Sequence, residues 1–393
     1  MAYRREPLAP ERGRFSSSTS LTGRGGCGAV SYRSERMLPT PLIASDHHLA
    51  HDGLIELVRG QPVPCFESPE RATVIRRALL ATGDYALEDP EDHGPDPISA
   101  VHDLELIDLV EHLWADAMAA GHDPAQPLLP DTFLLNAYGA GMHLEQLPAG
   151  RQDRLGAYCF DTATPVVAGT AAAARAAVDI GLTALDRVLA GAPLAYGLCR
   201  PPGHHAGRNL IGGYCFFNNA AIVAQSLVDR GAERVAILDV DFHHGNGTQQ
   251  IFWERGDVLY VSLHGDPRGI YPYYSGYATE RGAGDGEDAT LNLPLAPGTA
   301  GDVYLGVLSE ALEAISTFDA DAPLVVSLGF DTYHADPISN LALETDDYAR
   351  IGLAIAGLGM SVVALQEGGY AVDALGANAV AFLGGVREGI RSR

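Results

Sequence analysis

A chain of 393 residues with 47% apolar side chains is long enough for one large α/β domain or two ordinary ones. It sets 26 basic residues against 50 acidic ones, a net charge of −24, so nucleic-acid backbones are repelled and a small cation is drawn in. No apolar run approaches the roughly 18 residues of a membrane span, so no span, and no membrane partner, is expected. In chain order, residues 1–36 hold seven Arg and three acidic residues around a Ser-rich patch. Residues 1–38 read as a disordered tail, or as sequence ahead of a true start at Met37, and residues 39–393 as the folded domain. Helical spacing is predicted over Arg71–Ala81 and Ile107–Ala120. The Pro- and Gly-bearing stretch 127–154 reads as an ordered excursion or arm inserted in the domain. Strands and helices then alternate. Strands are predicted at Pro193–Cys199, Val235–Asp241, Val258–Leu263, Pro323–Phe330 and Ser361–Gln366. Helices are predicted at Asn219–Arg230, Gly247–Arg255, Asp302–Ser316, Asp347–Leu358 and Val372–Glu388. This alternation predicts a single three-layer α/β domain with a central, mostly parallel sheet flanked by helices.

The segment from Ile237 to Thr248 carries the most chemistry. Asp239, Asp241 and His243 stand at alternate positions, so on a strand all three face one side of its end. Carboxylate and imidazole without thiolate suit a divalent cation used in catalysis. Three more polar clusters follow predicted strands: Arg200 to Ala206, Gly329 to Asp331, and Glu367 to Tyr370. Open α/β sheets bind ligands at these carboxyl ends. The sequence contains no lysine, which removes Schiff-base chemistry, pyridoxal enzymes, Walker A loops and ordinary kinases. Acid–base work therefore falls to His, Asp, Glu, Tyr or a metal-bound water. Five cysteines without C-x-x-C spacing suit reduced thiols and a cytoplasmic location. His47, His48 and His51 read as a solvated loop, His264 and His334 as packing or rim residues, and Asp336 as a turn former before Pro337.

The motifs RPPGHHA at Arg200, GGYCFFNNAA at Gly212, ILDVDFHHGNGTQ at Ile237, VSLHGDP at Val261, SLGFDTYHADPIS at Ser327 and QEGGY at Gln366 resemble the histone deacetylase superfamily, within the arginase–deacetylase fold. Within that superfamily the chain looks most like the bacterial acetylpolyamine amidohydrolases. The resemblance implies Asp241, His243 and Asp331 as ligands of zinc, with ferrous iron the alternative. It implies His204 and His205 as the tandem catalytic histidines, the second being base and then acid. Asp239 matches the partner of His204, and Asn246 stands where many relatives place an Asp beside the second histidine. Tyr370 matches the donor to the polarised carbonyl. Gly213, Tyr214, Tyr271 and Ile338 fall at tunnel positions, and Arg71 near an acetate-release channel. Asp239, Asp241, His243, Ser262 and Leu263 match one K⁺ or Na⁺ site, and Phe252, Arg255 and Val258 a second. The insertion matches one through which related enzymes dimerise, so a homodimer is expected.

The implied activity is removal of an acetyl group from a small cationic amine such as an acetylpolyamine, with a protein acetyl-lysine deacetylase as the alternative. Arginase-like two-metal hydrolysis is disfavoured, because His204 and His205 occupy the wrong motif for a second metal. A non-catalytic acyl-amine binder is disfavoured because every catalytic position is filled. Tyr158 stands where peptide deacetylases often carry an Asp that clamps substrate backbone. Ile338 stands where some polyamine deacetylases carry a gatekeeping Glu. Relatives' acidic residues find no match at Gln152 and Ala163, and Asp153 and Asp161 lie nearby.

Overall fold

The computed structural model describes residues 38–135, 147–320 and 322–393. The chain divides into two units, Met1–Met37 and Leu38–Arg393, and all described elements belong to the second. Part of the predicted insertion, residues 136–146, lies outside the described residues.

Among the described residues, ten strands occur: β1 Thr40–Ile43, β2 Ile55–Val58, β3 Gln61–Pro64, β4 Tyr85–Glu88, β5 Leu194–Gly197, β6 Val235–Asp239, β7 Val258–Gly265, β8 Thr290–Leu295, β9 Leu324–Leu328 and β10 Val362–Gln366. Eight of them form one sheet in the order β4-β1-β5-β10-β9-β6-β7-β8, with every pairing parallel. The central strands read Val-Ala-Ile-Leu-Asp, Leu-Val-Val-Ser-Leu and Val-Val-Ala-Leu-Gln and are buried throughout. Such continuous apolar strands require cover on both faces, and alternate residues supply two cores. Val325, Val363, Leu365, Val235 and Ile237 pack with the helices Leu104–Ala119, Thr170–Leu189 and Asn219–Asp229. Leu324, Val326, Val362, Ala364, Ala236 and Leu238 pack with Pro69–Thr82, Gly301–Phe318, Thr345–Ala356 and Val372–Arg391 on the other face. The three-layer α/β expectation is met.

Three readings change. First, β6 stops at Asp239, so Asp241 and His243 are not strand residues. The Asp239 carboxylate accepts the Asp241 N–H at 3.1 Å, and the Asp241 carboxylate accepts the His243 N–H at 2.8 Å. These side-chain-to-backbone bonds turn the chain where period 2 would have kept it straight. Second, the segment at His47, His48 and His51 is not a solvated loop. His48 and His51 are buried, and their carbonyls accept the Arg200 guanidinium. His51 Nδ1 also lies 3.1 Å from the Thr170 hydroxyl. Third, sequence patterning leaves β1, β4, β8, the β2–β3 hairpin and the Thr170–Leu189 helix unassigned. The hairpin turns at Arg59 and Gly60, both at positive φ, which is the two-residue turn suited to strand twist but without its usual Asn-Gly signature.

Candidate active site

The polar clusters converge at the carboxyl ends of β5, β10, β9 and β6, where an open α/β sheet binds its ligands. Asp241 follows β6 and Asp331 follows β9, and these strands are hydrogen-bonded neighbours. With His243 they form a buried set whose ligand atoms all lie within 4.8 Å of one another. His243 Nδ1 stands 2.9 Å from Asp331 Oδ2 and 3.5 Å from Asp241 Oδ1. The Phe242 N–H donates to Asp331 at 2.9 Å and the Gly368 N–H to Asp241 at 2.7 Å. A Cβ on Gly368 would come 2.5 Å from Asp331 Oδ2, and one on Gly329 would come 2.1 Å from Asp241 Oδ2, so only glycine backbone can approach so closely.

Burial and the neighbouring Asp241 charge push the Asp331 carboxyl up to about 7. Two buried carboxylates in one small volume carry charge that a single imidazole does not cancel. A divalent cation fits this donor set, which offers two oxygens and one nitrogen with no thiolate and suits a catalytic rather than a structural site.

Beside the set stand two adjacent histidines with opposite partners. His204 Nδ1 lies 3.0 Å from Asp239 Oδ2, and the Tyr260 hydroxyl donates to the same oxygen at 2.9 Å. Burial disfavours a charged imidazole there, but the Asp239 and Asp241 carboxylates outweigh it and lift His204 to about 10. His205 Nδ1 instead lies 2.7 Å from Asn246 Oδ1. Burial, with His204 and His243 close by, holds His205 well below the usual imidazole range. The Asn246 oxygen accepts, so Nδ1 carries the proton of a neutral His205 and leaves Nε2 free. The two rings are 4.1 Å apart, and the Glu367 carboxylate anchors their loop by accepting the N–H groups of Gly203 at 2.6 Å and His204 at 3.1 Å.

Tyr370 is buried, with its ring 4.7 Å beneath the Arg71 guanidinium and 5.7 Å from Tyr214. Arg71 is itself buried; it donates to the carbonyls of Gly369 and Glu367, both at 2.6 Å, and pairs with Glu67. Tyr271 stands 5.1 Å from His205 and 6.2 Å from His243, which makes it a wall of the pocket. Gly213 and Tyr214 both have positive φ, and a Cβ at Gly213 would reach 2.1 Å from the His205 ring. Ile338 is half-buried in the loop after β9.

The expected first cation site brings Asp239 opposite Ser262 across β6 and β7, with Leu263, Asp241 and His243 adjoining in sequence. In the second, the Arg255 N–H donates to the Phe252 carbonyl at 3.0 Å and Val258 begins β7. Tyr158 is buried and its hydroxyl donates to Glu105 at 2.5 Å, whereas Asp153 is exposed. His264 is buried between Ser262 and the Gly276 carbonyl, and His334 is exposed beside Glu344.

Sequence reasoning missed three carboxylates. Glu367 lies inside the quoted QEGGY motif yet drew no role. Asp161 accepts the Gly213 N–H at 2.6 Å and the Tyr271 hydroxyl at 2.8 Å, tying two pocket positions together. Asp336 does more than shape a turn, since it also accepts the Tyr370 N–H at 2.7 Å.

This constellation has close counterparts. The histone deacetylase domain model matches residues 65–386. The chain belongs to the histone deacetylase family. It is 46% identical over 352 residues to acetylpolyamine amidohydrolase 1 of Pseudomonas aeruginosa, covering 89% of this chain and 99% of that one. It is 41% identical over 345 residues to the acetylpolyamine amidohydrolase of Mycoplana ramosa, covering 88% and 99%. The crystal structure of an acetylpolyamine aminohydrolase from Burkholderia pseudomallei superposes with a TM-score of 0.82 at 38% identity, over 88% of this chain and 98% of that one. The protein is accordingly a hydrolase of amide bonds in a metal-dependent family. No helix among the described residues is long and apolar enough to cross a membrane.

Proposed function

We propose that the protein removes the acetyl group from a small cationic acetylated amine, an acetylpolyamine, at a zinc centre. The observation that carries this reading is one buried pocket in which Asp241, His243 and Asp331 lie beside the His204–His205 pair and Tyr370. The names of the relatives support the substrate class, and the net charge of −24 favours a cationic substrate. Tyr158 is committed to Glu105 and offers no carboxylate to clamp a peptide backbone.

Asp241, His243 and Asp331 would hold zinc, with ferrous iron the alternative; when bound, the ion would supply Lewis acidity toward the amide carbonyl and toward water. Tyr370 donates a hydrogen bond from its hydroxyl to the carbonyl oxygen as negative charge grows there. Burial keeps this phenol well above its ordinary pKa, so it remains a donor. Neutral His205 takes a proton at Nε2 from the attacking water as the new C–O bond forms. It then delivers that proton to the amine nitrogen as the C–N bond breaks. His204, paired with Asp239, assists electrostatically, the carboxylate favouring its charged form. The proposal extends to K⁺ or Na⁺ at the two matched cation sites. It also extends to a cytoplasmic location, which the free thiols of Cys65, Cys159, Cys199 and Cys215 suit.

Turnover of acetylputrescine, acetylspermidine and an acetyl-lysine peptide tests the substrate class. The expected kcat/KM is at least about tenfold higher for an acetylated polyamine than for the peptide. Equal or reversed values would favour the protein deacetylase reading instead. The His205 partner predicts a pH effect. An Asp at Asn246 would stabilise the imidazolium and raise its pKa, leaving less neutral base at a given pH. In Asn246→Asp the acidic limb of the kcat/KM profile therefore moves to higher pH, and an unmoved or lowered limb contradicts the assigned role. Leu134 and Leu135 are exposed apolar groups of the insertion, consistent with a two-fold dimer through it. Light scattering returning the monomer mass of 41.5 kDa would refute that assembly.

A further inference from the structure

Asp336 lies in the loop after β9, downstream of Asp331, and is 7% exposed. Its Oδ2 accepts the N–H groups of Tyr370 at 2.7 Å and Ala371 at 3.2 Å, and its Oδ1 accepts the N–H of Ile338 at 3.1 Å. One buried carboxylate thus binds two loops, the one carrying Tyr370 and the one carrying the rim residue Ile338. The Gly369 carbonyl belongs to the same peptide group as the Tyr370 N–H, and it accepts Arg71 Nε at 2.6 Å. This peptide is therefore held at both ends, by a guanidinium on its oxygen and a carboxylate on its hydrogen. Charge-assisted bonds of this kind are about twice as strong as neutral ones. Gly369 has φ of +112°, so the peptide precedes Tyr370 from a conformation that the chain alone does not enforce.

We propose that Asp336 is a positioning residue for amide hydrolysis: it fixes the Gly369–Tyr370 peptide plane and so aims the Tyr370 hydroxyl. The hydroxyl sits at the far end of a long side chain, where a small rotation of the peptide becomes a large displacement. A misplacement of about 1 Å in a catalytic group can cost on the order of 100-fold in rate. Removing the carboxylate would also leave the buried Tyr370 N–H and the half-buried Ala371 N–H without this acceptor, so the loop would relax to find new ones. The proposal rests on the deacetylase reading of the pocket.

The test is a double-mutant cycle on the full-length protein, with acetylputrescine as substrate. Asp336→Asn, whose amide loses the charge and can offer an acceptor oxygen to only one of the two loops, should lower kcat by about 10- to 100-fold with KM changed less than about threefold and metal content intact. In the Tyr370→Phe background the same change should lower kcat by no more than about twofold, because the hydroxyl it aims is already gone. Wild-type kcat in Asp336→Asn overturns the proposal. So does an equal loss in both backgrounds, which is the behaviour of a residue that only supports the fold. If Asp336→Asn does not fold, the cycle is read with Asp336→Glu, whose longer arm displaces the carboxylate, and the same two outcomes decide. Failure of the deacetylase reading is distinguishable, because the wild-type enzyme would then turn over no acetylated amine.

Discussion

Two carboxylates, Asp241 and Asp331, are buried together at the ends of adjacent strands, and much of the surrounding structure follows from keeping them there. Like charges in a low-dielectric volume repel, and a buried charge left unpaired is costly. The protein offsets this with the N–H groups of Phe242 and Gly368, the imidazole of His243, and a donor geometry suited to a dication. The nearby backbone must be glycine at 329 and 368, because a single Cβ would collide with the carboxylate oxygens. The parallel pairing of β6 with β9 starts the loops that carry the two aspartates side by side at the carboxyl end of the sheet.

The next layer separates two identical side chains. His204 and His205 are adjacent and equally buried, yet one is lifted to about 10 and the other held well below its ordinary value. The difference is made by their neighbours. Asp239 and Asp241 favour the charged form of His204, whereas His205 hydrogen-bonds to the neutral oxygen of Asn246 and lies beside two other imidazoles. An acid–base pair needs this kind of separation, because a base must stay neutral while the group beside it carries charge. Arg71 and Asp336 bring the same logic to Tyr370, gripping one peptide group from opposite ends.

Most of this was legible where residue type and spacing carry chemistry directly. Asp241, His243 and Asp331, the histidine pair and Tyr370 stand in long motifs that follow apolar strands, and the structure brings them into one pocket. The strand-to-loop transition at Asp239 was not legible, because alternation continues past the point where Asp239 and Asp241 bind their own backbone. The helix Thr170–Leu189 passed unassigned, although its alanine run has the strongest helix propensity, because alanine marks an apolar face weakly. The burial of His48 and His51 is not legible in the sequence, because their partners, Arg200 on both carbonyls and Thr170 and Phe216 beside His51, lie far away in the chain. Asp336 was read as local for the same reason: its bond to the Tyr370 N–H crosses between two loops.

One bound divalent ion is proposed to balance the buried charge of Asp241 and Asp331. Thermal unfolding of chelator-stripped protein across a zinc titration tests it most directly, because an ion that binds only the folded state raises the melting temperature. The account predicts a rise for the wild-type protein that saturates near one ion per chain, and no rise for Asp241→Ala or Asp331→Ala. A wild-type melting temperature indifferent to zinc, or an equal rise in Asp331→Ala, would contradict it.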